Sequence, residues 1–280
     1  MKTIVITGAN TGIGFATAKK CVQSGHHVIL ACRNLEKAKQ AKQQLDTLAQ
    51  QHQAKVEIVQ LELNSLQNVN DTANDILSRF HKIDVLVNNA GLLTPQLEST
   101  QDGFEKQIGV NYLAHYLWTL KLLPLLKKSD AGRIIHLASL MHLAGSIQFD
   151  QFKADDVTRY NGVKRYGNSK LANLLMSNVL AEKLKDTPIT SNAIHPGGVD
   201  SEIYRDLPKY QYAVIKLFLI PPAKPAQLIH DIAFDPAWAN RSGEYISLQT
   251  PAFKSRNAKD IQLARKLYDV SYDYVKQYLE

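Results

Sequence analysis

Several tyrosines in this chain are followed, four residues later, by a lysine. Tyr160–Lys164 and Tyr166–Lys170 lie in "RYNGVKRYGNSK", and Tyr272–Lys276 lies near the C-terminal end. On a helix, positions i and i+4 share a face, so each pair can set a phenol beside an ammonium. A neighbouring positive charge favours phenolate and lowers a hydroxyl whose ordinary pKa is about 10. Such a tyrosine can hand a proton to a carbonyl oxygen or accept one from an alcohol near neutral pH. With twelve tyrosines in the chain, the spacing also arises by chance, and as a surface contact it is worth only ~0.2–0.5 kcal/mol. The surrounding sequence must choose among such pairs.

The second chemical signal is "TGANTGIG", with glycines at 8, 12 and 14 between a short β-branched run and a helical pattern. Gly8 permits a tight turn off a strand, Gly12 lets backbone approach a ligand, and Gly14 lets the helix pack closely. A helix N-terminus in that place offers unpaired N–H groups to a pyrophosphate. The spacing differs from the usual dinucleotide fingerprint, in which an acid ends the second strand and holds a ribose hydroxyl. Here that strand ends "ACRN". Cys32 stands where the acid would be, and Arg33 follows it. A guanidinium binds a 2′-phosphate that a carboxylate would repel, and Asn34 and Lys37 add donors, so NADP(H) is expected.

The elements that must position these residues alternate in type. Strands are expected at 3–8, 27–33, 55–63, the first part of "IDVLVNNAG", 133–139, "ITSNAIHPG" and "GEYISL". Helices are expected at about 11–24, 35–52, 65–80 and 103–128. A further long helix runs through "KLANLLMSNVLAEKL", where Leu171, Leu174, Leu175 and Val179 share a face. Asn161-Gly162 reads as a turn, which puts Tyr160 in the loop before that helix and Tyr166 on it. Repeated β-α-β units give an α/β fold, a Rossmann-type doubly wound parallel sheet of about seven strands. The whole chain, 1–280, is expected to be a single domain. Residues 200–225 are expected to form a lid insertion, with an apolar run from Ala213 to Ile220.

Composition limits the function classes. Charged residues make up 21% and hydrophobic residues 45% of 280 positions, which suits a packed core rather than disorder. The net charge of +7 reads either as a solvated basic surface or as attraction to anions, such as a phosphorylated cofactor or an acidic membrane surface. The basic residues are scattered, so nucleic-acid binding is not expected. Cys21 and Cys32 show no metal or disulfide spacing, and the histidines form no ligand cluster, so no metal is expected. No apolar run reaches membrane-spanning length. A cytoplasmic location is expected, with peripheral membrane contact and a homodimer as open alternatives.

Taken together, these motifs resemble the short-chain dehydrogenase/reductase family over essentially the whole length. The residues that carry the resemblance are "TGANTGIG", "NNAG" (88–91), "NYLAHY" (111–116), Ser139, "YGNSK" (166–170) and "HPGGVDS" (195–201). "VILACRN", "LPLLKKS", "YGNSKLAN" and "ARKLYDVS" are most similar to retinol dehydrogenases. The likeness to light-dependent protochlorophyllide oxidoreductases is more distant, and Ala172 stands near where those carry a cysteine. The resemblance implies a catalytic tetrad of Asn111, Ser139, Tyr166 and Lys170, which selects the second tyrosine pair. It implies that Ser139 holds the substrate oxygen, that Lys170 also reaches the nicotinamide ribose, and that Asn111 holds a water. It implies cofactor contacts at Gly8, Asn10, Thr11, Gly12, Ile13, Gly14, Arg33, Asn34, Lys37, Glu62, Leu63, Asn89, Ala90, Gly91, Tyr166, Lys170, Pro196, Gly197, Val199 and Ser201. Glu62 replaces the usual aspartate and Ser201 the usual threonine. The implied activity is NADP(H)-dependent hydride transfer on a hydrophobic carbonyl or alcohol, such as a retinoid or a long aldehyde. The alternative is a non-catalytic NADP(H)-binding sensor or scaffold, which has no need of the Ser-Tyr-Lys set.

Overall fold

The computed structural model describes residues 1–199, 219–248 and 252–280. The described chain forms a sheet of seven strands in the order β3-β2-β1-β4-β5-β6-β7, with every pairing parallel. The strands are β1 (Thr3–Thr7), β2 (His27–Cys32), β3 (Lys55–Gln60), β4 (Val85–Asn88), β5 (Arg133–Leu137), β6 (Thr190–His195) and β7 (Tyr245–Ser247). β1, β2, β4, β5 and β6 are buried almost throughout, as expected for strands covered on both faces. Side chains alternate between two cores. Ile4 and Ile6 point to one layer of apolar residues and Val5 to the other.

On one face lie helices α1 (Gly12–Gln23), α2 (Leu35–Gln51) and α7 (Ala223–Phe234). The other face is covered by α3 (Leu66–Arg79), α4 (Lys106–Ile108), α5 (Ala114–Leu126) and α6 (Gly162–Lys183). α8 (Arg256–Lys259) and α9 (Ile261–Val275) complete that layer. α3 shows how sequence makes such a helix. Ser65 accepts a hydrogen bond from the Asn68 N–H at 3.2 Å and caps the start. Leu66, Val69, Ala73 and Ile76 then form the buried stripe. α6 is buried on most sides because α9 packs across its outer face. Two tyrosine hydroxyls pin α9 in place, Tyr112 to Ser271 at 2.7 Å and Tyr116 to the Tyr268 carbonyl at 2.9 Å.

Several expected boundaries move. β1 stops at Thr7, β3 at Gln60 and β5 at Leu137, each short of the expected end. Each strand gives way to a loop that carries candidate site residues. The helix expected from 103 starts at Lys106, because Glu105 caps it, accepting from the Gln107 and Ile108 N–H groups at 3.0 and 2.9 Å. Residues 109–113 form a π-helical turn that leads directly into α5. Of the expected lid, only its last residues, from 219 on, are described. Ile220 N donates to the Gly198 carbonyl at 2.8 Å, and Ala223 opens α7, with Pro225 buried in its first turn. Residues 200–218 of that segment lie outside the described residues.

Candidate active site

The glycine loop joins β1 to α1. Gly8 and Gly12 have φ of +66° and +55°, which L side chains rarely adopt. A Cβ at Gly14 would meet the Gly8 carbonyl and would lie 2.6 Å from Asn89 Nδ2, so the helix start presses on the loop and on "NNAG". Thr11 leads into α1 without a side-chain cap, and the first turn carries no acid. The first-turn N–H groups therefore point toward an anion site without a competing carboxylate. Asn10, Thr11 and Ile13 are part-exposed around it. These observations fit a bound pyrophosphate.

"NNAG" is fastened from below by a residue that the sequence reading passed over. Thr7 Oγ1 accepts from the Asn89 and Ala90 N–H groups, both at 2.9 Å, and Asn89 Nδ2 donates to the Thr7 carbonyl at 2.7 Å. Past the end of β2, Arg33, Asn34 and Lys37 are exposed. Asn34 has a structural duty there, since its Oδ1 accepts from the Lys37 N–H at 2.9 Å and caps α2. The Cys32 thiol is buried, takes hydrogen bonds from the Ala9 and Asn10 backbone, and is pushed up to about 11 by burial. It sits beneath the loop as a neutral group. Glu62 turns toward its own backbone, accepting from the Asn64 N–H at 2.9 Å, and Leu63 is buried. Pro196 and Gly197 are part-exposed after β6, and Val199 is buried in a bridge to Ile220. Ser201 lies outside the described residues.

Three elements converge on Lys170. The residue is 3% exposed, and its Nζ donates to the Leu137 carbonyl at 2.9 Å, at the end of β5. Nζ lies 5.3 Å from the centroid of the Tyr166 ring. A Cβ at Gly91 would be 3.3 Å from Lys170 Nζ and 3.4 Å from Asn111 Oδ1, so Gly91, Asn111 and Lys170 share one small space. Burial lowers Lys170 from 10.5 to about 8. Asn111 stands in the π turn. Its Oδ1 accepts from the Leu92 N–H at 2.8 Å, while its Nδ2 donates to the Leu92 carbonyl at 2.9 Å and to Ser169 Oγ at 3.0 Å. Its side chain is a clamp on the loop after "NNAG", a contact that spacing alone did not disclose.

Ser139 lies two residues beyond β5 and caps a short 3-10 turn, Leu140–Ala144. Its Oγ accepts from the Met141 N–H at 3.2 Å, which leaves the hydroxyl hydrogen available. This turn packs on the helix that carries Tyr166 through bare backbone. A Cβ at Gly167 would lie 2.6 Å from the Met141 carbonyl, and one at Gly145 would lie 2.6 Å from the Gly167 carbonyl. That contact brings the Ser139 turn beside Tyr166.

The competing tyrosines have other duties. Tyr160 precedes α6, whose cap is Asn161. Its hydroxyl lies 2.6 Å from Thr94 Oγ1 and accepts from Gln107 Nε2 at 2.9 Å. Its lysine, Lys164, is exposed, and Lys276 pairs with Asp273 at 3.1 Å on an exposed surface.

A doubly wound parallel sheet with a glycine loop after β1 and a Tyr-Lys pair beside β5 defines a dinucleotide-binding oxidoreductase architecture. A model of the short chain dehydrogenase family matches residues 2–211. The chain belongs to that family and is an oxidoreductase. It is 36% identical over 274 residues to human (Homo sapiens) retinol dehydrogenase 11, covering 97% of this chain and 85% of that protein. It is 36% identical over 278 residues to retinol dehydrogenase 13 of Mus musculus, covering 96% and 82%. Among solved structures, an uncharacterized protein from Mycobacterium Paratuberculosis aligns with a TM-score of 0.78 and 30% identity, over 99% of this chain and 94% of that chain.

Proposed function

We propose that this protein is an NADP(H)-dependent oxidoreductase that moves a hydride between nicotinamide and the carbonyl or alcohol of a hydrophobic substrate, of the retinoid or long-chain aldehyde class. The observation that carries the reading is the Tyr166–Lys170 pair, with its ammonium buried among Gly91, Asn111 and the Leu137 carbonyl.

A bound nicotinamide dinucleotide supplies or takes the hydride. Every other step falls to the chain. The Ser139 hydroxyl donates to the substrate oxygen and holds it. Tyr166 passes its proton to that oxygen during reduction and takes it back during oxidation. Lys170 stabilises the phenolate that remains. Exposed Arg33 and the absence of an acid at Cys32 favour a 2′-phosphate over a bare ribose. The relatives' names support a retinoid class. Exposed Leu143, one turn past Ser139, and exposed Val163, one turn before Tyr166, support an apolar mouth. Among the described residues no helix is long and apolar enough to cross a membrane. The charge of +7 together with those exposed apolar side chains supports contact with an acidic lipid surface.

A panel of aldehydes and ketones, followed by NADPH and NADH consumption, tests the reading. Turnover of long apolar aldehydes with NADPH is expected. No turnover of any carbonyl, with NADPH bound, would replace it with the sensor reading.

A further inference from the structure

His115 follows Asn111 by one turn, at the start of α5, and is 1% exposed. Its Nδ1 lies 3.1 Å from the Asn111 carbonyl oxygen, and its Nε2 lies 2.9 Å from Thr7 Oγ1. Both contacts have a fixed direction. A carbonyl only accepts, so Nδ1 carries the hydrogen. Thr7 Oγ1 already accepts from the Asn89 and Ala90 N–H groups. Its single hydrogen therefore goes to Nε2, since the other acceptor in reach, the Val87 carbonyl, is at 3.5 Å. His115 is thus neutral, with the proton on Nδ1. Burial agrees, lowering its pKa to about 4, with the Lys170 charge contributing.

We propose that His115 is a positioning residue that sets the register between the nucleotide loop and the Asn111–Lys170 pair. The route is continuous. The Asn89–Ala90 backbone hangs on Thr7, Thr7 bonds His115, and His115 bonds the backbone of Asn111 in the π turn. Asn111 in turn clamps Leu92, one residue beyond Gly91. The loop from Asn89 to Leu92 is held at one end through Thr7 and at the other by Asn111. His115 joins the two anchors, so the position of Gly91 against Lys170 follows from its ring. Asn111 lies within the π turn, Gly109–Leu113, and His115 lies just past its end.

A double-variant cycle tests this, and its kinetic arm rests on the proposed reductase reading. His115→Phe keeps a flat aromatic ring, one member larger, and removes both bonds; Thr7→Val removes the hydroxyl. Each single variant is expected to lose about tenfold or more in kcat, as misplacement near the reacting groups does. The double variant is expected to be no slower than the slower single. Losses that multiply, or a His115→Phe enzyme with parent kcat, would overturn the proposal. A parent protein that reduces no carbonyl would count against the reductase reading instead, and the same cycle on NADPH affinity would then decide. His115→Asn keeps an amide donor where Nδ1 stands and is expected to recover part of the loss; no recovery would place the effect in packing. If His115→Phe does not fold, nitrogen NMR of the parent protein labelled in its histidines settles the tautomer. A neutral ring protonated on Nδ1 is expected, and a proton on Nε2 would remove the His115–Asn111 bond and overturn the proposal.

Discussion

Lys170 is held near the edge of its charged state. Burial brings it to about 8, while the Leu137 carbonyl offers a partner for the ammonium. At pH 7 the ammonium predominates and can stabilise the Tyr166 phenolate. Above about pH 8 the lysine loses its proton in the free enzyme and that support weakens. The alkaline limb of kcat/KM for carbonyl reduction is therefore expected near pH 8, because that parameter reports the free enzyme. A profile flat to pH 10 would separate Lys170 from catalysis. Tyr166→Phe is expected to lower kcat by at least ~10²-fold, the loss typical for a positioned acid, with NADPH binding retained in a fluorescence titration. Tyr160→Phe acts differently. It strands Thr94 and Gln107, so a cost of about 1–3 kcal/mol in stability is expected, seen as a lower urea midpoint with kcat near the parent value. The glycine loop was readable in the sequence, and Asn161-Gly162 marked the helix entry that separates Tyr160 from Tyr166; the choice of Tyr166 itself came from the family resemblance. Thr7 and His115 were not singled out. Their hydrogen bonds span 82 and 108 positions, and no local spacing announces them.

At the scale of elements, the sequence placed the strands well and their ends less well. β3 and β5 both stop early, and side chains from beyond them bind the backbone that follows. Asn68 Oδ1 accepts from the Glu62 N–H at 2.7 Å, and Ser139 caps its own turn. Hydropathy does not encode such choices. The π turn was invisible for a similar reason, since Gly109–Leu113 is buried throughout and fits an ordinary helical pattern. The start of α1 offers the sharpest element-level test. Gly14→Ala would drive a methyl into the Gly8 carbonyl and toward Asn89. Loss of NADPH binding by calorimetry is expected, together with a lower melting temperature. The start of α2 bears on cofactor choice. Arg33→Ala is expected to weaken NADPH by about 1.5–3 kcal/mol, the range of hydrogen bonds to charged groups, and to leave NADH unchanged. Equal losses for both cofactors would show that Arg33 does not read the 2′-phosphate.

At the scale of the whole molecule, buried histidines tie stability to pH. His115 and His136 are fully buried and held neutral, at about 4 and about 3, chiefly by burial. Unfolded, each titrates near 6.5. Below pH 6.5 the unfolded chain binds protons that the folded chain refuses, so stability falls as pH falls toward those folded values. By pH 5 the loss is ~2 kcal/mol for each of the two, from one and a half units at 1.36 kcal/mol per unit. Urea midpoints at pH 7 and pH 5 measure it, and an unchanged midpoint would mean that the pair ionises in place.

The strand order has a consequence for how the chain comes into being. β1 lies between β2 and β4, with Ile4, Val5 and Ile6 set against Val85, Leu86 and Val87. It leaves the ribosome before both neighbours, and the second of them follows about eighty residues later. At ~5–20 residues per second this is a wait on the order of ten seconds. During that interval one edge of β1 is bare, and Thr7 has no "NNAG" backbone to hold. A nascent chain stopped before Asn88 therefore has a glycine loop but nothing to press it into shape, and it should retain no nucleotide on an affinity resin.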